Sequence, residues 1–130
     1  MRGVRGTRPR PPSAPPDGGA ALRLALQACS DRKAVEGLVL DLRSRTDATD
    51  RFVIVSGTSD THVRAIAEHV LETLRQQGVR AHHVEGLAAG RWVLLDFVDF
   101  VVHVFHPALR EFYQLERLWG DAPRRPLEEA

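Results

Sequence analysis

Two apolar runs, "RWVLLDF" (Arg91–Phe97) and "FVVHVFH" (Phe100–His106), stand with only Val98 and Asp99 between them. So short a link cannot carry the chain to a parallel neighbour, which needs a crossover of about a dozen residues or more. The two runs can pair only as an antiparallel hairpin. Two adjacent strands of a sheet are thereby fixed. A third run, "RFVIVSG" (Arg51–Gly57), is unbroken in its apolar content, as a central strand buried on both faces would be.

The remaining elements follow from spacing. "AALRLALQACSDRK", from Ala20, is rich in Ala and Leu and predicts a helix of about three turns. "EGLVLDL" (Glu36–Leu42) predicts a short buried strand, and "RSRTDATD" a polar loop. Val63, Ile66, Ala67, Val70, Leu71 and Leu74 form one apolar helical stripe, with Ser59 or Asp60 to cap its start and Gly78 to end it. "VRAHHVEG" is more polar and predicts a strand nearer an edge. Pro107 opens a last helix with Ala108, Phe112, Leu115 and Trp119 inward, stopped by Gly120 and Pro123. The expected order is α-β-β-α-β-β-β-α, a compact α/β sandwich with a five-stranded mixed sheet and no internal repeat.

The chain of 130 residues suffices for one domain, expected over residues 21–123, with a C-terminal tail over 124–130. Residues 1–20 are rich in Pro, Gly and Arg and hold almost nothing to bury, which predicts a disordered tail. Four arginines there, Arg2, Arg5, Arg8 and Arg10, stand against Asp17, a net of +3 in a chain whose total is +1. No polyanion-binding field is indicated for the chain as a whole, and there is no specific nucleic-acid motif. A single cysteine, Cys29, allows no intrachain disulfide and reads as a packing residue in a helix. The apolar runs are short and interrupted by Asp or His, so neither a membrane span nor a secretory leader is expected.

Asp and His crowd into "DFVDFVVHVFHP" (Asp96–Pro107), the raw material of metal and acid–base sites. Strand alternation sends His103 and His106 to opposite faces, and His82 and His83 likewise diverge. His103, between two valines, reads as a buried, hydrogen-bonded core histidine. Asp96 and Asp99 flank the hairpin tip, where Asp serves turns, while a catalytic carboxylate pair would need desolvation that a tip does not give. His62 and His69 share a helix face, expected to be solvated. "VSGTSDTHV" (Val55–Val63) puts Gly57 and two hydroxyls at a helix N-terminus, where phosphates bind. It has neither the lysine of a phosphate-binding loop nor a triple-glycine fingerprint, and capping accounts for it without a ligand. No catalytic residue, metal or cofactor is assigned. Trp92, Phe112, Tyr113 and Trp119, among Arg91, Arg110, Arg117 and Glu116, read either as core anchors or as contact residues. Phe112 and Trp119 fall on the inner stripe, whereas Tyr113 lies off it.

The run "GRWVLLDFVDFVVHVFHPALREFYQLERLWGDAP" resembles the C-terminal half of the ribosomal silencing factor family (RsfS, also called Iojap). "DRFVIVSGTSDTHVRAIAEHV" is similar to that family's central strand–helix block, with "VEG" in its expected place, so the resemblance spans residues 21–123. It implies a non-enzymatic protein with a nucleotidyltransferase-like fold, while the abundance of Arg, Ala, Gly and Pro beside a single Lys points to a bacterial cytoplasm. It implies binding to the large ribosomal subunit on the face that meets the small one, chiefly to the ribosomal protein numbered fourteen. Subunit joining would be blocked and translation lowered in starvation. A maturation role for the large subunit, and a homodimer when free, are also implied; a nucleotide-binding transferase using the Gly57–Asp60 turn is the rival. Trp92 and Tyr113 match the family's contact aromatics, Asp96 and Asp99 its hairpin aspartates, with Arg91, Arg110 and Glu116 expected at the rim. Two positions depart from the pattern. Arg51 replaces an aromatic or Cys before "FVI", and Val98 replaces a Gly between the aspartates, from which a different turn type is expected.

Overall fold

The computed structural model describes residues 18–113 and 122–127. The elements run α1 (Gly18–Asp31), β1 (Val35–Asp41), β2 (Arg51–Ser56), α2 (Asp60–Gln76), β3 (His83–Glu85), β4 (Trp92–Asp96), β5 (Phe100–Phe105), α3 (Pro107–Tyr113) and β6 (Arg124–Pro126). They form a mixed α/β fold on one six-stranded sheet, ordered β3-β4-β5-β2-β1-β6. β2 and β5 are parallel, and the other neighbours are antiparallel.

Five strands were expected, and the sixth lies in the segment read as a tail. β6 pairs with β1, Val39 opposite Arg125, and Ala122 and Leu127 on either side are buried. Its own residues are exposed and include a proline, which an edge strand tolerates. What it gives the sheet is backbone pairing, and periodicity in side chains cannot reveal that. Gly37 makes the contact possible, since a Cβ there would stand 2.8 Å from that of Leu127.

Alternation sorts the sheet into two faces. Val39, Val53, Val102 and Leu95 form one row across four strands, and α1 and α2 pack on it through Ala25, Cys29, Val63, Ile66, Val70 and Leu74. On the other face lie Leu38, Ile54, His103 and Leu94 in one row and Leu40, Phe52, Val101 and Asp96 in the next. Leu109 of α3 and Ala122 pack against this second face. The inward residue of the first α3 turn is therefore Leu109, while Ala108, expected there, is exposed. Phe112 and Tyr113 lie in α3 with side chains outside the described ones. Of the tail expected over 1–20, residues 18–20 instead open α1, while 1–17 lie outside the described residues, as do Leu115, Glu116, Arg117, Trp119 and Gly120.

Ser59 caps α2, its hydroxyl accepting from the His62 N–H at 3.0 Å. The β4–β5 tip is less relaxed. Val98 has φ 75°, and the Asp99 N–H donates to Phe97 O at 2.9 Å. That is a γ-turn of the positive-φ hand, strained for any L-residue and more so for a β-branched one. The expected change of turn type does not occur, because the tip is held from several sides. Phe97 N–H bonds Phe100 O at 2.9 Å, their rings stack at 5.1 Å, and Asp50 N–H bonds Asp99 O at 3.0 Å.

Val98 is 56% exposed and so has little packing to lose. Val98→Gly is expected to stabilise the fold by about 1 kcal/mol, the relief of strain exceeding the added unfolded-state entropy. Urea denaturation of both proteins checks it; a lower midpoint for the glycine variant would refute the strain.

Candidate functional site

The second face of the sheet carries the predicted hairpin residues. β4 and β5 pair with Trp92 opposite Phe105, Leu94 opposite His103 and Asp96 opposite Val101. Trp92 is half-buried, and its indole stacks on Phe105 with centroids 5.0 Å apart and planes 23° from parallel. Its N–H donates to His103 Nδ1 at 3.2 Å. Phe52 meets the same imidazole edge-on at 4.5 Å.

His103 is buried as expected, and burial pushes its pKa down to about 4, so the ring is neutral near pH 7. An indole N–H can only donate, so Nδ1 is the acceptor and Nε2 carries the proton. That Nε2–H finds no hydrogen-bond partner. The second buried side-chain atom in this state among the described residues is the hydroxyl of Thr49. Each unmet group costs about 1–3 kcal/mol. Both residues line one cavity of about 240 Å³, together with Leu42, Phe52, Leu94, Asp96 and Val101. Sequence reasoning found His103 as core but missed Thr49. A threonine in "RTDATD" reads as solvated loop, and nothing in its spacing signals burial.

The other predicted contact residues divide. Asp96 serves the turn, its Oδ1 accepting from Val98 N–H at 2.8 Å. Asp99 is exposed at the tip, and Arg91 is exposed beside Trp92, its carbonyl accepting from His106 N–H at 2.8 Å. Arg110 turns inward. Its Nη1 donates to Glu36 O, at the bulge in β1, and to Ser56 Oγ at 3.1 Å, tying α3 to two strands. Trp92, Asp96 and His103 thus share one face, whereas Arg110 ties down strand ends.

The histidines serve the fold separately. His106 lies at the start of α3, where its Nδ1 accepts from Ala108 N–H at 3.4 Å. His69 sits 3.2 Å from the Asp31 carboxylate, and His62 Nε2 lies 2.7 Å from Arg32 O. These two face the end of α1 and are half-buried, not solvated as expected. Among the described residues no three His, Cys, Asp or Glu side chains converge as metal ligands.

The turn before α2 is self-contained. Thr58 N–H donates to His62 Nδ1 at 2.8 Å, and Gly57 N–H to Phe105 O at 2.9 Å. With Ser59 on His62 N–H, donors that a phosphate would need are engaged internally. A Cβ on Gly57 would lie 2.8 Å from Val63 N, so this glycine serves strand–helix packing.

The family model described as "Ribosomal silencing factor during starvation" matches residues 15–130. The ribosomal silencing factor RsfS of Bacillus subtilis is 42% identical over 107 residues, covering 82% of this chain and 91% of that protein. A mouse protein, "Mitochondrial assembly of ribosomal large subunit protein 1", is 38% identical over 74 residues, 55% of this chain and 32% of its own length. A crystal structure from Chromobacterium violaceum superposes with a TM-score of 0.76 at 37% identity, covering 78% of this chain and 85% of that one. Among the described residues no helix is long and apolar enough to cross a membrane.

Two outcomes test the Trp92–His103 arrangement. Trp92→Phe keeps a ring on Phe105 but strips His103 Nδ1 of its donor, so it is expected to destabilise by about 2 kcal/mol in chemical denaturation. The second concerns pH. Between the ordinary value of 6.5 and the buried value of about 4, the unfolded chain binds a proton at His103 that the folded chain refuses. Stability therefore falls as pH drops through that window, by about 1.4 kcal/mol per pH unit from this residue. Thermal melts of wild type and His103→Gln from pH 7 to 4 should show that slope lost in the variant.

Proposed function

The chain belongs to the ribosomal silencing factor family, and on that footing we propose that it binds the large ribosomal subunit and keeps the small subunit from joining. The carrying observation is the family match over residues 15–130, within which the sheet face around Trp92 presents aromatic surface beside exposed charge. The action is steric: a folded body on the intersubunit face needs no catalytic group. The partner is chiefly the ribosomal protein numbered fourteen of the large subunit, met by Trp92 and Tyr113, with Asp96, Asp99, Arg91 and Glu116 as further contacts. Arg110 supports the surface from behind by holding α3 to β1 and β2. The setting is a bacterial cytoplasm in starvation, and the nucleotidyltransferase-like layout serves as scaffold.

A second reading is favoured by the mouse relative, whose name describes assembly of the ribosomal large subunit. In that reading the same contact protects a maturing particle. The two differ in what loss of the gene does: late large-subunit precursors accumulate in growing cells if assembly is the task, and not if repression is. A transferase built on Gly57–Asp60 is disfavoured by the internal engagement of that turn.

Purified protein is expected to co-sediment with large subunits in mild salt, not with small ones, and to lower the yield of joined ribosomes in a dose-dependent way. Failure to pellet with large subunits, or undiminished joining at saturation, overturns the repression reading. Thermal stabilisation by a nucleoside triphosphate with Mg²⁺ would instead revive the transferase.

A further inference from the structure

Where α1 begins, the helix-covered face of the sheet holds more positive charge than the fold uses. Arg23 of α1, Arg43 just past β1, Arg51 of β2 and Arg125 of β6 line one cleft of about 290 Å³, and Asp41 is the acidic residue among its described walls. We infer that this cleft holds phosphodiester backbone of ribosomal RNA. It is a second contact with the large subunit, apart from Trp92, and rests on the docking reading above.

The register of the sheet gathers the charges. Asp41 stands opposite Arg51 in the β1–β2 ladder and Val39 opposite Arg125 in the β1–β6 ladder, so all four share the face on which α1 packs. An opposed pair such as Asp41 and Arg51 is a natural seat for a cross-strand ion pair. The Asp41 carboxylate instead takes Arg43. Its Oδ1 accepts from Nε at 3.0 Å and from the backbone N–H at 3.1 Å, and its Oδ2 from Nη2 at 2.6 Å. Those bonds, with the charge of Arg51 nearby, hold the carboxyl well below the usual carboxylate range, so it stays ionised and committed to Arg43. Among the described residues no hydrogen bond or ion pair engages the guanidinium groups of Arg23, Arg51 or Arg125. Three cations therefore line one cleft without an ion pair, and like charges so gathered repel. Arg23 and Arg125 are exposed and Arg51 is half-buried, so the charge is open to an incoming group. Asp50 and Asp99 line the hollow on the other side of Arg51 and bound the positive ground toward the hairpin tip.

The chemistry selects phosphate. A guanidinium fork grips two phosphate oxygens at once. No aromatic ring lines the cleft to stack a base, so it reads backbone and not sequence, in keeping with a chain that has no nucleic-acid motif. Residues 1–17 carry a net +3 and join α1 at Gly18, beside Gly19 in the cleft wall. The cleft carries +3 as well in a chain whose total is +1, which leaves −5 for all the rest. Charge so divided gives the region around the α1 start a field that the whole chain lacks. Trp92 lies on the opposite face of the sheet, so docking there does not cover the cleft.

Two double variants of the full chain test the cleft. Arg51→Gln with Arg125→Gln removes two of its unpaired cations. Arg32→Gln with Arg80→Gln removes the same charge elsewhere, past the far end of α1 and ahead of β3. Affinity for protein-free large-subunit ribosomal RNA is read by filter binding from about 50 to about 200 mM salt. Co-sedimentation with purified large subunits and thermal melts run alongside. The wild type is expected to bind the RNA. The cleft variant should bind at least about tenfold more weakly at low salt, with a log–log salt slope smaller by about 1 to 2 and the melt retained. The control variant should stay within about threefold of the wild type. If the cleft variant melts early, Arg125→Gln alone, on an exposed edge strand, decides. No RNA binding by the wild type, or equal losses in the two variants, overturns the cleft. Displacement of the RNA by polyglutamate as readily as by inorganic polyphosphate also overturns it, and makes the surface one for acidic protein. Pelleting with large subunits without RNA binding leaves docking standing; RNA binding without pelleting overturns docking and leaves the RNA site.

Discussion

The rest of the structure depends on the parallel pairing of β2 with β5, six residue pairs from Arg51–Phe100 to Ser56–Phe105. Parallel neighbours cannot be joined by a turn, so the chain must cross over between them. α2 makes that crossing on one face of the sheet, its first turn drawn against the strand end by Gly57. The chain then returns through β3 and β4 on the far side of β5, and the last reversal has to deliver Phe100 opposite Arg51. The strained turn at Val98 is a local consequence of that long-range demand. It persists because the paired strands and the Phe97–Phe100 stack hold the tip from both sides.

Residues that act through their own side chains were legible in the sequence. The α2 stripe, the apolar β2 run and the hairpin all appear where their patterns put them, because burial and periodicity are one signal. β6 was not legible. Its three residues are exposed, and its role rests on backbone groups and on the missing side chain of Gly37. Ala108 was placed inward where Leu109 packs instead, since a helix entered from Pro107 has no preceding turn to fix its phase. The buried Thr49 escaped for a related cause: the β1–β2 loop packs it under by Leu42 and Asp50 backbone bonds, which its polar composition does not announce. His103 was legible as core, but its half-satisfied state depends on which side Trp92 approaches.

The two faces of the sheet follow different economies. The helix-covered face is a row of valines and a leucine, satisfied by contact alone. The other face sets His103 in the middle of an aliphatic row, between Ile54 and Leu94. A leucine there would lose nothing to desolvation. The imidazole does repay part of its cost, because it accepts the Trp92 N–H at 3.2 Å. Tryptophan and histidine are therefore interdependent, and removing the indole leaves Nδ1 without its donor.

That interdependence accounts for Nδ1 and not for Nε2. Accepting the indole proton takes one lone pair, and the imidazole brings a second polar nitrogen with it. The side chain thus has two polar ends, one taken by Trp92 and the other buried without a partner, as is the Thr49 hydroxyl. Two such deficits in a small domain are a large fraction of a typical net stability. Their convergence on one cavity, on the face that carries the aromatic surface, sets them apart from scattered packing defects. Local rules broken together in one place mark where a fold has been shaped by something outside itself.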